Sequence, residues 1–295
     1  MLILGAGLNG CIAACKYPEA KIIEYLETPA VHRAVLRFRS DAVSKITGIP
    51  FKEVEVQKGI IYRGQYVGPD IKMSNLYSRK VTGMALPRSI DNLKPSKRWI
   101  APDDFHASLL ARFHKRIEVS SKYVPVKADE PIISTIPLPV LCGIIGIENP
   151  IAREEHCKPI YVRTIKIPSA NVYQTVYYPE AELNAYRASM SGDMLIIEGI
   201  REVSARECMK IMGELGLYGL EHTFVESIVQ RFGKFVPMDS IKRKRMMLEL
   251  TTKHGIYSLG RHATWRKLML DDLPKDLEVI ERLIKIDEYD IRIGK

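Results

Sequence analysis

The chain opens with MLILGAGLNG, and Gly5, Gly7 and Gly10 in that stretch form a G-x-G-x-x-G pattern. Leu2, Ile3 and Leu4 ahead of it are an apolar run of strand length. The small, apolar CIAACK behind it suits a helix packed closely on a strand. AKIIEY then reads as a second strand ending in Glu24, about 20 residues after the first glycine, which is the spacing of the dinucleotide fingerprint. In that fingerprint the first glycine permits a tight turn, the second lets backbone approach a pyrophosphate, and the third lets helix and strand touch. Leu8 and Asn9 open the helix, whose free N–H groups and partial positive charge favour phosphate. Glu24, followed by Tyr25, is placed to accept hydrogen bonds from a ribose diol. An adenine dinucleotide is the expected ligand.

At 295 residues the chain holds one large or two medium domains. No apolar run approaches the roughly 20 residues that cross a bilayer. A strand starting at Met1 leaves no room for a signal peptide. A reduced cytoplasmic protein with no membrane partner is therefore expected. The five cysteines are scattered, with Cys11 and Cys15 on the first helix, and without C-x-x-C pairs or a His cluster no metal site is expected. The charge is less ordinary: 44 Lys and Arg against 35 Asp and Glu give +9. The excess gathers at Arg33, Arg37 and Arg39, at Lys94, Lys97 and Arg98, and at Lys242 to Arg245. Such a surface suits a polyanion such as nucleic acid, or is simply a solvated basic face.

Along the rest of the chain, HRAVLRFRSDAVSKITG is mostly helical in pattern, and FKEVEVQKGIIYRGQYVG alternates as a hairpin. DDFHASLLARFH reads as a helix with Asp103 or Asp104 near its N-cap. RIEVSS and EPIISTIPLPVL read as strands, the second stopped by prolines. KPIYVRTIKIP, NVYQTVYYP and AYRASMSGDMLIIEGI give antiparallel strands. SARECMKIMGELG, EHTFVESIVQRFG and KRKRMMLELTTKHG read as helices and IYSLG as a strand. LPKDLEVIERLIK is a final helix with Leu273, Leu277, Ile280 and Ile284 on one face.

One β-α-β unit, a strand-rich middle and a return of nucleotide-domain signals at the end define an interrupted α/β fold. The expectation is a Rossmann-type, glutathione-reductase-like FAD-binding domain (1–35, 100–145 and 240–295). It is interleaved with a mixed antiparallel-sheet substrate domain (36–99 and 146–239). LILGAGLNG…IIEY, IISTIPLP, YYPEAELNAYRAS and GIYSLGRHATW resemble segments of the FAD-binding class that includes amine oxidases, protoporphyrinogen oxidases and UDP-galactopyranose mutases. That resemblance implies FAD, with Ser134 and Thr135 in a turn over the cofactor and Val119 also in the cofactor set. It implies that Gly260 allows close approach, that Arg261 contacts phosphate, and that backbone N–H groups around Ala263 and Thr264, or from the first turn of the last helix, face the flavin. His262 and Trp265 would line the cavity, with plain packing as their alternative role, and Asp271 and Asp272 would cap a helix. The class also carries an Arg followed by Gly-Gly after the ribose-binding acid. Here only Arg33 stands near that place, without the glycines.

Three activities fit these residues. In an amine or amino-acid oxidase, hydride leaves a carbon beside nitrogen and O2 reoxidises the flavin, with His262, Arg33 and Tyr178 as the catalytic candidates. A mutase would hold a nucleotide diphosphate with Tyr173, Tyr177, Tyr178, Tyr186 and Arg187. A non-catalytic FAD-binding module is the third. RFRSDAVSKITGIPF, NLYSRKVTG and RSIDN further resemble small phage flavoproteins of thymidine hypermodification. That implies DNA, or a nucleotide-linked amine, as substrate in a host cytoplasm. An amino acid on the thymine methyl carbon would be oxidised off to leave an aminomethyl group. Arg37, Arg39, Arg79, Lys80, Arg88 and Lys97 would then meet phosphate or a substrate carboxylate.

Overall fold

The structure, a computed structural model, describes residues 1–27, 36–86, 88–120, 130–149, 151, 157–168, 170–235 and 238–292. In chain order the elements are β1 (Leu2–Leu4), α1 (Leu8–Lys16), β2 (Lys21–Glu24), β3 (Arg37–Phe38), α2 (Ala42–Thr47), β4 (Lys52–Tyr62) and β5 (Gln65–Val67). There follow α3 (Ile71–Thr82), β6 (Ser96–Ile100), α4 (Phe105–Phe113), β7 (Ile117–Val119), β8 (Ile132–Ser134), α5 (Leu138–Ile145), β9 (Cys157–Lys166) and β10 (Tyr173–Tyr177). The last are β11 (Ala185–Ser191), β12 (Met194–Gly199), α6 (Ala205–Glu214), β13 (Thr223–Phe235), α7 (Ser240–His254), β14 (Ile256–Ser258) and α8 (Leu273–Arg292). They form two compact units. Unit 1 is Met1–Lys52, Trp99–His156 and Val236–Lys295, and unit 2 is Glu53–Arg98 and Cys157–Phe235. Residues 36–52, expected in the substrate domain, belong to unit 1.

Unit 1 is built on a five-stranded sheet in the order β14-β8-β1-β2-β7, with every pairing parallel. Parallel strands covered on both faces read as continuous apolar runs, and Ile3, Leu4, Ile22, Ile23, Ile132 and Ile133 are all buried. One core joins α1, α4 and α8 to this sheet, and Leu273, Leu277, Ile280 and Ile284 supply the buried stripe of α8. Phe51 packs against Phe38 and Phe105 at centroid distances of 4.9 and 5.0 Å, anchoring the segment through α2 to α4. Asp271 caps a distant turn: its Oδ1 accepts the N–H groups of Arg39 (2.8 Å) and Ser40 (3.2 Å) ahead of α2. Asp272 accepts from Met269 N at 2.8 Å, just before α8.

In unit 2 the strands run β13-β9-β12-β11-β10-β4, with β5 folded back on β4. The sheet is mixed, because β10 pairs β4 in parallel while the other neighbours are antiparallel. α3 covers it with Met73, Tyr77 and Val81, spaced i, i+4, i+8. Asp70 accepts from Met73 N at 2.6 Å to start that helix, and Gly83, at φ 84°, ends it.

The structure corrects several sequence expectations. EHTFVESIVQRFG is the long strand β13 rather than a helix: its β-branched and aromatic residues find a partner in β9 along nearly its whole length. The stretch after Ser134 turns into helix α5, with Pro139 in its first turn, where a missing N–H costs nothing. The described part of HRAVLRFRSDAVSKITG is a two-residue strand and a six-residue helix.

Lys80 locks one loop of unit 2. Its ammonium donates to the carbonyl oxygens of Tyr178 (2.8 Å), Glu180 (2.6 Å) and Ala185 (2.6 Å). Burial pulls its pKa down to about 8, and the three acceptors offset that cost. Lys80→Met keeps the stem but orphans three carbonyls. It should destabilise the protein by about 2–3 kcal/mol, read as a lower urea midpoint at unchanged slope.

Candidate nucleotide-binding site

In an open parallel sheet, ligands bind beyond the carboxyl ends of the strands, where the chain order reverses. Here the chain leaves β1 toward β2 on one side and later enters β8 on the other, so the reversal lies between β1 and β8. Gly5 to Gly10 follow β1, Ser134 and Thr135 end β8, Glu24 and Tyr25 end β2, Val119 ends β7, and Gly260 follows β14. The sequence-expected cofactor residues are thus brought to one end of one sheet.

The loop from Gly5 to Gly7 is fixed group by group. Gly5 N–H donates to Ile23 O (2.8 Å), and Thr135 Oγ1 donates to Leu4 O (2.8 Å) and Gly5 O (3.4 Å). Ala6 N–H donates to Glu24 Oε2 at 2.7 Å. Ala6 O accepts from the ring Nε2 of His106 (3.2 Å) and from the Cys11 thiol (3.3 Å). Gly5 sits at φ 94°, and a Cβ on Gly10 would overlap the carbonyl oxygen of Gly5, so neither position admits a side chain. Gly7 differs: its φ is −63°, and a Cβ there would meet nothing within 4 Å. Open space therefore lies where α1 begins. No side chain caps that helix and no acidic residue lies in its first turn, as is also the case for α2, α4 and α5, whereas α3, α6 and α7 are capped by Asp70, Ser204 and Asp239.

Glu24 is buried and already engaged. Besides Ala6 N, its carboxylate accepts from Tyr25 N (2.8 Å) and Leu26 N (3.0 Å). A carboxylate offers about four acceptor positions, so a ribose diol would share a group that also holds the loop. Nothing in the sequence marks His106 or Cys11 as a site residue, since one helical histidine and one apolar-face cysteine carry no local signal. Burial lowers the His106 pKa, and the carbonyl acceptor requires the proton on Nε2. Burial pushes the Cys11 thiol up to about 12, which makes it a weak donor rather than a nucleophile.

The C-terminal segment joins this site through Leu259 N–H, which donates to Ser134 O at 2.8 Å, and through Gly260, whose missing Cβ makes room for the Asn9 amide. His262 O accepts from Leu138 N at 3.0 Å, at the start of α5. Arg261 and His262 are half-buried, Ala263 and Thr264 are buried, and Trp265 is 1% exposed at φ 47°. Residues 261–265 form turns, and the Thr264 N–H and hydroxyl both donate to Gly260 O (3.0 and 2.8 Å). The Thr264 amide is therefore already engaged within the chain. The hydroxyls of Ser134 and Ser258, register partners on β8 and β14, are buried with no hydrogen-bond partner among the described residues. Val119 is 48% exposed at the sheet edge. Arg33 lies outside the described residues.

Tyr178 belongs to unit 2, where it is fully buried in the core and burial pushes its hydroxyl pKa up. The tyrosine-arginine set expected for a diphosphate is regrouped by the fold. Arg88 Cζ lies 5.7 Å from the Tyr77 ring centroid and 5.9 Å from that of Tyr186, and Arg187 Cζ lies 6.0 Å from Tyr186. Tyr177 stands edge-on to Tyr77 at 5.3 Å. Arg187 is ion-paired to Glu198, its cross-strand neighbour. Against the effect of burial, Arg187 and Arg88 hold the Glu198 carboxyl below its usual range. Arg187 makes the direct ion pair, and the Arg88 charge acts on the same carboxylate from farther away.

No protein-family model matches this chain, and no curated protein matches it in sequence. Among solved structures, it superimposes on reduced UDP-galactopyranose mutase with a TM-score of 0.66 at 13% identity, covering 97% of this chain and 93% of that one. An oxidoreductase from Methanosarcina mazei gives 0.53 at 8% identity, over 95% and 99%. PqsL, a probable FAD-dependent monooxygenase from Pseudomonas aeruginosa, gives 0.52 at 10%, over 100% and 87%. The likeness to these structures is one of fold: a Rossmann-like α/β domain with a mixed-sheet companion.

The glycines separate packing from binding. Gly10→Ala should destabilise the protein by more than about 2 kcal/mol, because backbone must move. Gly7→Ala should leave the melting curve of the cofactor-free protein within about 0.5 kcal/mol of the parent.

Proposed function

We propose that the protein is an FAD-dependent enzyme in which unit 1 is a glutathione-reductase-like cofactor domain and unit 2 the substrate domain. The observation that carries this reading is the uncapped start of α1, opening on free space at Gly7 at the sheet's reversal point. The N–H groups of Gly7, Leu8 and Asn9 would receive the pyrophosphate. Glu24 would take a ribose hydroxyl on its remaining acceptor position, and Arg261 would offset phosphate charge. The hydroxyl of Ser134 would supply a donor at the end of β8. Bound FAD would supply hydride acceptance, or in its reduced form a nucleophilic nitrogen.

For the reaction, the mutase-like alternative has the better support. The likeness to reduced UDP-galactopyranose mutase runs almost the full length of both chains. In unit 2, Arg88, Arg187 and their tyrosines offer the charge and aromatic faces that a nucleotide diphosphate needs. Their role would be to hold an anionic, nucleotide-linked substrate. The oxidase reading on DNA draws on basic charge; of its expected contacts, Lys80 is engaged by three carbonyl oxygens and Lys97 by Glu53, which leaves the run on α7 as its main support. Lys242, Arg243, Lys244 and Arg245 follow one another on α7, and none of them forms an ion pair among the described residues.

Purified protein should be yellow, and Gly7→Ala should lose that colour while keeping its fold. A chain that stays colourless and takes up no added FAD would end the cofactor reading. Turnover of a nucleoside-diphosphate sugar only after dithionite reduction marks the mutase. Anaerobic bleaching by an amine, followed by peroxide on admitting O2, marks the oxidase. If DNA carries the amine, log affinity should fall with log salt by about 0.7–0.9 per phosphate contacted, and neutralising residues 242–245 should flatten that slope.

A further inference from the structure

We propose that His106 is the positioning residue of the dinucleotide loop: it fixes the direction of the peptide between Ala6 and Gly7, and so aims the Gly7 N–H at the pyrophosphate. The inference rests on the FAD reading above and adds to it a residue outside the glycine fingerprint.

Two peptide groups make up the turn. In the first, between Gly5 and Ala6, both ends are held: the carbonyl accepts from Thr135 Oγ1 at 3.4 Å and the N–H donates to Glu24 at 2.7 Å. In the second, between Ala6 and Gly7, only the carbonyl end is held, by His106 Nε2 at 3.2 Å and Cys11 Sγ at 3.3 Å. A trans peptide is planar, so its N–H points opposite to its C=O. Anchoring the Ala6 oxygen therefore turns the Gly7 N–H the other way. A glycine follows this peptide, and glycine opposes rotation less than any other residue. A flipped peptide would aim a carbonyl where a phosphate must lie. A thiol is a weak donor, so the imidazole is the principal restraint on that flip.

The placement of His106 suits this task. It is 2% exposed, on the buried side of α4 beside Phe105 and Leu109. Burial favours the neutral ring, which has one N–H to give, and the carbonyl fixes that proton on Nε2. The histidine sits 100 residues from Ala6 in sequence, so α4 must be docked before the loop is set.

The test uses the whole chain freed of cofactor, with three probes: FAD, ADP and adenosine. His106→Leu should weaken FAD and ADP on the order of tenfold, the value of one lost hydrogen bond, and leave adenosine nearly unchanged. His106→Gln, whose amide can reproduce the Nε2 donor, should restore most of the loss. Equal affinities of parent and Leu variant for FAD and ADP would overturn the role, as would an equal loss for all three probes. If the Leu variant does not fold, Gln is compared with His106→Asn, which is too short to reach Ala6; the same ADP affinity in both would overturn it. A parent chain that binds neither FAD nor ADP removes the cofactor reading and this role together.

Discussion

The closeness of Gly10 to the carbonyl oxygen of Gly5 decides where α1 can begin. Any side chain at position 10 would push the helix off the sheet, and with it the first-turn N–H groups. Once that contact is made, the remaining groups of the turn are tied by β2, β8 and α4. A structure that consumes nearly all its own donors and acceptors at one bend, yet leaves the helix start unmatched, is shaped for something that brings acceptors of its own.

The helices show the same principle from the other side. α3, α6 and α7 close their own ends with Asp70, Ser204 and Asp239, and Ser204 does so through a reciprocal box with Glu207. Those ends are finished structure. In unit 2 charge gathers instead around the Arg187–Glu198 pair, with Arg88 and Arg187 both against the Tyr186 ring.

Much of unit 1 was legible in the sequence because its signals are local. Three glycines at fixed spacing, a strand before them and Glu24 after them fall within 24 residues, and the apolar stripe of α8 repeats at helical spacing. The sequence of β13 suits either element, because Phe224, Val225, Ile228 and Val229 recur at both strand and helix intervals, and only the pairing with β9 settles the choice. Asp271, read as a helix cap, braces the turn before α2 from across the chain. His106 had no local signature at all. Its meaning depends on a carbonyl that the fold brings to it.

The sheet of unit 1 is assembled from distant parts of the chain, and this order has a consequence for synthesis. β1, α1 and β2 are synthesised before the other elements, β8 comes only after β3 to β7, and β14 follows β9 to β13 as the last of the strands. Until β14 arrives, β8 offers an open, apolar edge able to pair with any passing strand. Long-range parallel pairing is also slow to form. A nascent chain thus carries its complete glycine motif long before it can stabilise it, and is vulnerable to misassembly throughout that interval.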